Sequence, residues 1–416
     1  MWFRPLATGI VAIVVANLSA SCATSKVVGA DIKNVVHGQA MDNSKLGTAV
    51  ASDTRDAEAN LQQLRRKFME AYDKLKANAQ KHWGQKDARV ADRTVYVKYT
   101  QGYKSRVITD FDHGSVTVET VDDQAPRDSL RKAIVAALLT SSDPASVDLF
   151  TDKDVTLEPD RRPYLFGLVH DNDGKSIRTP EQADKFARYL VAHNIKTHPV
   201  SAEEAGKTAW FVKLTMVSNF EAKGAARYQA SVDKYAAQYH VRPTLVLAIM
   251  RTESNFNPFA VSSVPAYGLM QLVPTSGGRE ALKRVKGVDE IPSADYLFDP
   301  DHNVELGTVY LGILANEEFH TIEKQDAREY CVIAAYNTGP RNVTRTFASD
   351  KKQALSDINQ LEPSAVYDQL RTKLPYEETR QYVVKVTGYR NQLLAAAASP
   401  AKELTLSQAP PPTSAP

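Results

Sequence analysis

"VDKYAAQYHVRPTLVLAIMRTESNFNPFAVSS", residues 232–263, contains two helical patterns joined by a short turn, and the way the second pattern ends governs the reading of the whole chain. In the first, Val232, Tyr235, Ala236 and Tyr239 recur at helical spacing and form one apolar stripe. Pro243 suits the opening position of the second helix, where Leu245, Val246, Ala248 and Ile249 supply a core face. Glu253 follows Ile249 by four residues and Val246 by seven, so it lies on that same buried face. A carboxyl there loses solvent, its pKa rises, and it keeps its proton, which is the condition a general acid requires. Polar and helix-breaking residues follow immediately. Position alone does not decide the matter, because a Glu at a helix end is commonly a solvated charge.

Working outward, the chain of 416 residues divides by texture. From 224 to 394 it reads as helices with short breaks. Residues 55–220 read differently. Leu61, Leu64, Phe68, Tyr72 and Leu75 give a helix one apolar face. "TVYVKYT" (94–100), "SRVITDF" (105–111) and "GSVTVET" (114–120) alternate like strands of an antiparallel meander. A helix over 127–139 follows. "YLFGLV" (164–169) and "AWFVKLTMV" (209–217) are expected to be two further strands flanking the helix "PEQADKFARYLVAHN" (180–194). That helix announces its start with Thr179 as N-cap, Pro180 at the first position and Gln182 three residues after Thr179. "DNDG" at 171–174 fails as a calcium loop, since Val169 and Pro180 would occupy ligand positions; it reads as a hairpin turn. The fold class is therefore α+β: an N-terminal α+β domain with an antiparallel sheet, followed by a mainly α domain.

"ESNFNPFAVS" (253–262), "AYGLMQLVP" (266–274), "NVELGTVYL" (303–311), "CVIAAYNTGP" (331–340) and "PYEETRQYVVKV" (375–386) occur in the order and at about the spacing of the soluble-lytic-transglycosylase-like catalytic domain, a lysozyme-like fold. The chain resembles that family, and its resemblance to membrane-bound members extends over nearly its whole length. The resemblance implies a peptidoglycan-cleaving enzyme with Glu253 as the sole catalytic acid and base. It implies that Ser262 orients the substrate's acetamido group and that Met270 and Gln271 line the cleft, with Gly268 letting backbone approach closely. Tyr310 would support the floor, Tyr336 and Asn337 would bind sugar and steady Glu253, and Tyr382 would hydrogen-bond near the reacting sugar. The residues themselves support these roles unequally. Tyr310 has core spacing with Leu306 and Leu314, so packing is as good a reading. Met commonly fills core gaps, whereas a buried amide such as Gln271 needs partners that a sugar can provide. Gly339 and Pro340 stop a helix, so Tyr336 and Asn337 should project from its end.

Glycosidases of the common kinds use two carboxylates. Between Glu253 and Gln271 there is no second Asp or Glu, and more distant ones such as Glu305 or Glu377 stay open. The family route needs only one carboxylate: the N-acetyl group of the muramoyl sugar stabilises the developing positive charge, its 6-hydroxyl attacks C1, and a 1,6-anhydromuramoyl end forms without water. Two alternatives stand beside it, a hydrolytic muramidase of the same fold and a non-catalytic peptidoglycan-binding scaffold. The retained Glu253 argues against the scaffold.

Residues 1–22, "MWFRPLATGIVAIVVANLSASC", carry Arg4 and then an apolar run too short to span a bilayer. Ser19, Ala20 and Ser21 before Cys22 resemble the lipobox of bacterial lipoproteins, with Ser19 where Leu is usual. Expected are a lipoprotein signal peptide over 1–21, lipidation at Cys22, a tether over 22–54 and a disordered tail over 395–416. By the same resemblance Ala23, rather than Asp, favours the outer membrane, with the protein facing the periplasm. Lys and Arg number 51 against 49 Asp and Glu, a balance that gives no argument for a nucleic-acid partner. Cys331 is the only other cysteine, so no disulfide framework is available, and it reads as a small buried residue. The His residues form no ligand-spaced pair, and neither a metal nor another cofactor is expected. The expected partners are peptidoglycan glycan strands and the outer membrane. The N-terminal domain would bind glycan, position the catalytic domain or recruit other cell-wall enzymes; its sequence has no cluster that chooses among these. Tyr96, Tyr99 and Tyr103 would stack on sugars or, more commonly for strand aromatics, pack.

Overall fold

The computed structural model describes residues 54–155, 161–200, 206–262 and 265–398; the signal segment, Cys22, the tether and most of the tail lie outside these. A long helix, α1 (Thr54–Asp87), leads into a five-stranded sheet of β1 (Val95–Thr100), β2 (Ser105–Asp110), β3 (Ser115–Thr120), β4 (Lys196–Pro199) and β5 (Thr208–Thr215). Every neighbouring pair is antiparallel, in the order β1-β2-β3-β5-β4. The alternation in the sequence sorts the two faces. Val107, Val116, Val118, Val212 and Leu214 are buried on one face with Leu130 and Ile134 of α2 (Pro126–Leu139). On the other face Val97, Tyr99 and Ala209 pack with Leu75, Ala79 and Trp83 of α1. There Arg106 and Glu119, cross-strand partners, form a buried ion pair at 2.6 Å, with the guanidinium stacked 3.6 Å from the Trp83 ring. Tyr96 and Tyr99 are both buried, so these strand aromatics pack.

α3 (Pro180–His193) begins with the expected capping box: the Gln182 amide donates to Thr179 Oγ, and the Gln182 side chain accepts from the Thr179 amide. "DNDG" is a turn in which Asp171 accepts the Gly174 amide on its carbonyl and those of Asp173 and Lys175 on its carboxylate. One expectation fails. Residues 164–169 form tight turns with isolated bridges rather than a strand. Tyr164, Leu165, Leu168 and Val169 are all buried, which a half-covered strand cannot achieve, and Gly167 (φ +75°) bends the segment so that they can be. The strand that the sequence reading missed is the short, polar β4, whose pattern gives no apolar alternation.

The remaining helices are α4 (Phe220–Gln238), α5 (Pro243–Ser254), α6 (Arg279–Lys286), α7 (Ala294–Phe298), α8 (Pro300–Ile313), α9 (Gln325–Thr338), α10 (Pro340–Arg345), α11 (Lys351–Gln360), α12 (Pro363–Lys373) and α13 (Glu377–Ala398). α5 sits at the centre: Leu245, Val246, Ala248 and Ile249 are buried, and the helix packs on α4 and α13. Cys331 is wholly buried, and desolvation pushes its thiol pKa up, as expected of an inert core cysteine.

The two parts share one core. Phe259, just past α5, is fully buried; its ring stacks on Tyr96 at 4.3 Å and meets Tyr164 edge-on at 5.3 Å. Two asparagine side chains fasten the same segment to the sheet domain. Asn255 Nδ2 donates to Phe111 O at 2.7 Å, and Asn257 Nδ2 donates to Arg93 O at 3.1 Å. Phe259→Ala is therefore expected to destabilise the whole chain by about 3–5 kcal/mol, the usual range for truncating a buried aromatic. Denaturant unfolding checks this, and a loss below about 1 kcal/mol would mean that the aromatic contact contributes little.

Candidate active site

Glu253 occupies the last turn of α5, is 6% exposed and points into the packed interior. The position is hostile to charge twice over: solvent is excluded, and the C-terminal end of a helix carries partial negative charge. Burial accordingly raises the carboxyl to about 7; Arg93 and the Tyr382 hydroxyl pull it partly back, and Glu378 adds to the rise. Tyr382, on α13, donates to Glu253 Oε1 at 2.7 Å. Arg93 Nη1, from the loop between α1 and β1, lies 3.8 Å from Oε2. Each carboxyl oxygen thus has its own neighbour, one from the helical domain and one from the sheet domain.

Behind the carboxyl, the 266–272 segment is held by buried polar contacts. Ser254 Oγ donates to Leu269 O at 2.8 Å. Asn303, fully buried on α8, accepts the Met270 amide at 2.8 Å and donates to Tyr267 O and Leu297 O at 2.8 and 2.7 Å. Gly268 has φ +74°, and a Cβ there would meet the Leu297 carbonyl oxygen at 2.6 Å, so this turn requires glycine. Tyr336, near the end of α9, donates its hydroxyl to Met270 O at 2.8 Å, and its ring lies 5.6 Å from that of Tyr310. Burial and the neighbouring Glu253 charge hold the Tyr336 and Tyr382 phenols well above their ordinary pKa, so both remain protonated donors.

The other sequence-nominated residues fall around this centre in different ways. Gln271 is buried with φ +48°; its amide nitrogen donates to Gly268 O, and its Oε1 has no hydrogen-bond partner among the described residues. Ser262 is half-buried, with its amide bonded to Ala266 O at 3.2 Å. Asn337 is half-buried and accepts from Thr379 at 2.7 Å; no hydrogen bond joins it to Glu253. Tyr310 is half-buried against Gly277. Met270 departs from the cleft-lining expectation. Its side chain is fully buried and its sulfur fills the space above Gly307, where a Cβ would stand 2.3 Å away. Only its backbone carbonyl borders the site. α9 ends at Gly339 with φ +81° and ψ 152°, a positive φ outside the left-handed helical region, and Pro340 opens α10 instead of merely barring continuation.

The sequence reading missed Arg93 and Thr379. A single arginine far upstream in a polar loop carries no local pattern, and only the docking of the two parts brings it to Glu253. A polar cavity of about 420 Å³ opens beside that contact, between the domains, with Arg93, Thr252, Asn255 and Lys385 in its wall. Glu305 acts on Tyr235, Tyr239 and Tyr296 rather than on Glu253, and Glu378 is the carboxylate whose charge reaches Glu253. No cluster of three or more His, Cys, Asp or Glu side chains able to hold a metal occurs among the described residues.

Comparison with known proteins gives the site a lineage. Residues 59–227 match the model of the membrane-bound lytic murein transglycosylase C N-terminal domain, and residues 230–359 match that of the transglycosylase SLT domain. The membrane-bound lytic murein transglycosylase C of Yersinia enterocolitica is 41% identical over 309 residues, covering 74% of this chain and 85% of that protein. The protein of the same name from Photorhabdus laumondii is 40% identical over 309 residues, with the same coverage. The solved 70 kDa soluble lytic transglycosylase of Escherichia coli is 25% identical over 41% of this chain and 24% of its own length, with a TM-score of 0.33, so the match spans about a quarter of that larger protein. With both family models matched in chain order and relatives aligned across most of its length, the chain belongs to the membrane-bound lytic murein transglycosylase C family of enzymes.

Proposed function

We propose that the protein is a lytic transglycosylase that cleaves the β-1,4 bond between N-acetylmuramic acid and N-acetylglucosamine in peptidoglycan, with Glu253 acting first as acid and then as base. The observation that carries this reading is one buried carboxyl, raised to about 7 and hydrogen-bonded by Tyr382 at 2.7 Å. Protonated Glu253 gives its proton to the glycosidic oxygen as the C1–O bond breaks, and the N-acetyl group supports the positive charge at C1. The muramoyl 6-hydroxyl then attacks C1, the new C1–O6 bond closes the 1,6-anhydro ring, and the hydroxyl proton passes to the Glu253 carboxylate. Atoms and charge balance without water, and the enzyme returns to its starting state.

The supporting roles belong to the same reading. The orphaned Gln271 Oε1 is a ready acceptor for a sugar hydroxyl or amide. Tyr336 steadies the site through the Met270 carbonyl, so Met270 acts through its backbone. Tyr382 stabilises the carboxylate that forms after proton transfer. Ser262, Asn337 and Tyr310 border the sugar. The domains would divide at 55–220 and 224–394. Lipidation at Cys22 would tether the enzyme to the outer membrane facing the periplasm, a role consistent with the membrane-bound relatives; among the described residues no helix is long and apolar enough to cross a membrane. A hydrolytic variant of the same chemistry would need a second carboxylate, and Glu378 is the one whose charge acts on Glu253.

Digestion of murein sacculi by the protein lacking residues 1–22 should release muropeptides one water lighter than hydrolytic products, and Glu253→Gln should release none. Ordinary reducing ends would overturn the transglycosylase chemistry in favour of hydrolysis; undiminished activity of Glu253→Gln would overturn the assignment of the acid. Because the free enzyme must hold its proton, kcat/KM should fall above pH 7, about tenfold for each further unit. The same carboxyl makes a stability prediction. Its folded pKa, about 7, is raised from 4.5, so its contribution is fully present below pH 4.5 and is lost as pH rises to about 7. Glu253→Gln removes that loss, and by pH 8 it should be more stable than the parent by up to about 3 kcal/mol relative to the difference at pH 4. Thermal or denaturant unfolding at the two pH values measures this directly; equal differences at both would show that Glu253 is not desolvated.

A further inference from the structure

The α1–β1 loop is built to present Arg93 to Glu253. Asp92 Oδ1 accepts the amides of Thr94 and Val95 at 2.9 and 2.8 Å, which fixes the turn. Thr94 Oγ donates to Asp112 at 2.9 Å, and Asn257 donates to the Arg93 carbonyl. The acidic residues around it are already engaged: Asp92 caps the turn, Asp112 accepts from Thr94 and Asn255, and Glu221 pairs with Arg251 at 2.5 Å. The nearest anionic partner of the Arg93 guanidinium is Glu253 Oε2, at 3.8 Å.

We propose that Arg93, contributed by the N-terminal domain, is a positioning residue for the catalytic acid: with Tyr382 on Oε1 and Arg93 on Oε2, the carboxyl is oriented between two domains and its anion is stabilised when the proton is given up. The inference rests on Glu253 being the acid. It gives the N-terminal domain a direct part in the reaction, which its own sequence does not suggest. The groups that face Glu253 are Tyr382 and Glu378 from α13, Tyr336 from α9 and Arg93 from the loop, and Arg93 is the one cation among them. Arg251, on the same helix as Glu253, is held by Glu221 and lies over the Tyr389 ring. Removing Arg93 therefore leaves the carboxylate facing burial and Glu378 with only the Tyr382 hydroxyl to favour it. The loop's own fastenings run through the Arg93 backbone and through Asp92 and Thr94, so a side-chain substitution leaves them in place.

The test is the titration of Glu253 in the intact protein with Arg93→Gln and Arg93→Lys. It is read by carbon NMR of labelled glutamate carboxyls, with the Glu253 signal assigned by its loss in Glu253→Gln, and in parallel by the alkaline limb of sacculus cleavage. Arg93→Gln should move the midpoint and the limb to higher pH by about one unit, near the low end for an opposite charge because the arginine is partly solvated. Arg93→Lys should restore most of the original midpoint. An unchanged midpoint in Arg93→Gln would overturn the inference, including where activity falls uniformly at all pH values, because that would be a structural effect alone. The NMR midpoint stands even if Arg93→Gln is inactive. Activity retained by Glu253→Gln would overturn the reading on which the inference depends, whereas an inactive Glu253→Gln with an unshifted Arg93→Gln would overturn the inference alone.

Discussion

The structure is organised around the cost of keeping one carboxyl out of water. Glu253 sits where burial and the carbonyl end of α5 both disfavour its ionised form, and an unpaired anion there would be strongly destabilising. The fold meets that demand by letting the carboxyl hold its proton up to about pH 7 and by placing a phenol and a guanidinium at hand for when the proton leaves. Those partners come from the C-terminal helix and from the loop ahead of the first strand. One titratable group therefore requires that α13 and the loop ahead of β1 be held together.

That requirement explains the strained segment beyond α5. Asn255 and Phe256 both have positive φ, 45° and 63°, a conformation costing about 1–2 kcal/mol for each residue that is not glycine. The turn is over-determined by its surroundings. Asn255 caps the helix and reaches Phe111 with its side chain, Phe256 packs on Gly224, and Phe259 inserts between Tyr96 and Tyr164. A chain leaving Glu253 is thus turned at once into the sheet domain, and the sheet domain's loop is turned back toward Glu253. The interface is continuous core rather than a hinge, as the shared cluster of Tyr96, Phe259, Tyr267 and Leu272 shows.

Sequence pattern revealed this architecture wherever a local rule governs. The strands β1 to β3, the capping box of α3 and the desolvated face of α5 all follow from periodicity and cap chemistry within a few residues. Residues 164–169 misled because apolar content was read as a strand when Tyr164, Leu165, Leu168 and Val169, positions of both parities, are buried by turns. β4 escaped because an edge strand of mostly exposed residues has no apolar alternation to read. In the site, Glu253, Tyr336 and Tyr382 were legible through motifs. Met270 was overread, since its motif position does not say whether side chain or carbonyl faces the cleft. Arg93 was invisible, because its role depends on a tertiary contact that no window of sequence contains.

A single carboxyl that serves as both acid and base must be tolerable in both states. An ordinary solvated glutamate, near 4.5, would arrive without its proton at neutral pH; one that was buried and unpartnered would hold the proton but make its anion too costly to form. The opposing influences on Glu253, burial and Glu378 in one direction and Arg93 and Tyr382 in the other, bring it to about 7. Near that value proton donation and proton recovery are both accessible at the same pH, so one residue can complete a cycle that two-carboxylate glycosidases divide between partners. The phenol contributes to this balance because its own pKa is raised: Tyr382 stays protonated beside a carboxylate and can donate to it throughout. On the proposed mechanism, the economy of one catalytic carboxyl is therefore a property of its whole surroundings, sheet-domain arginine included, rather than of the glutamate alone.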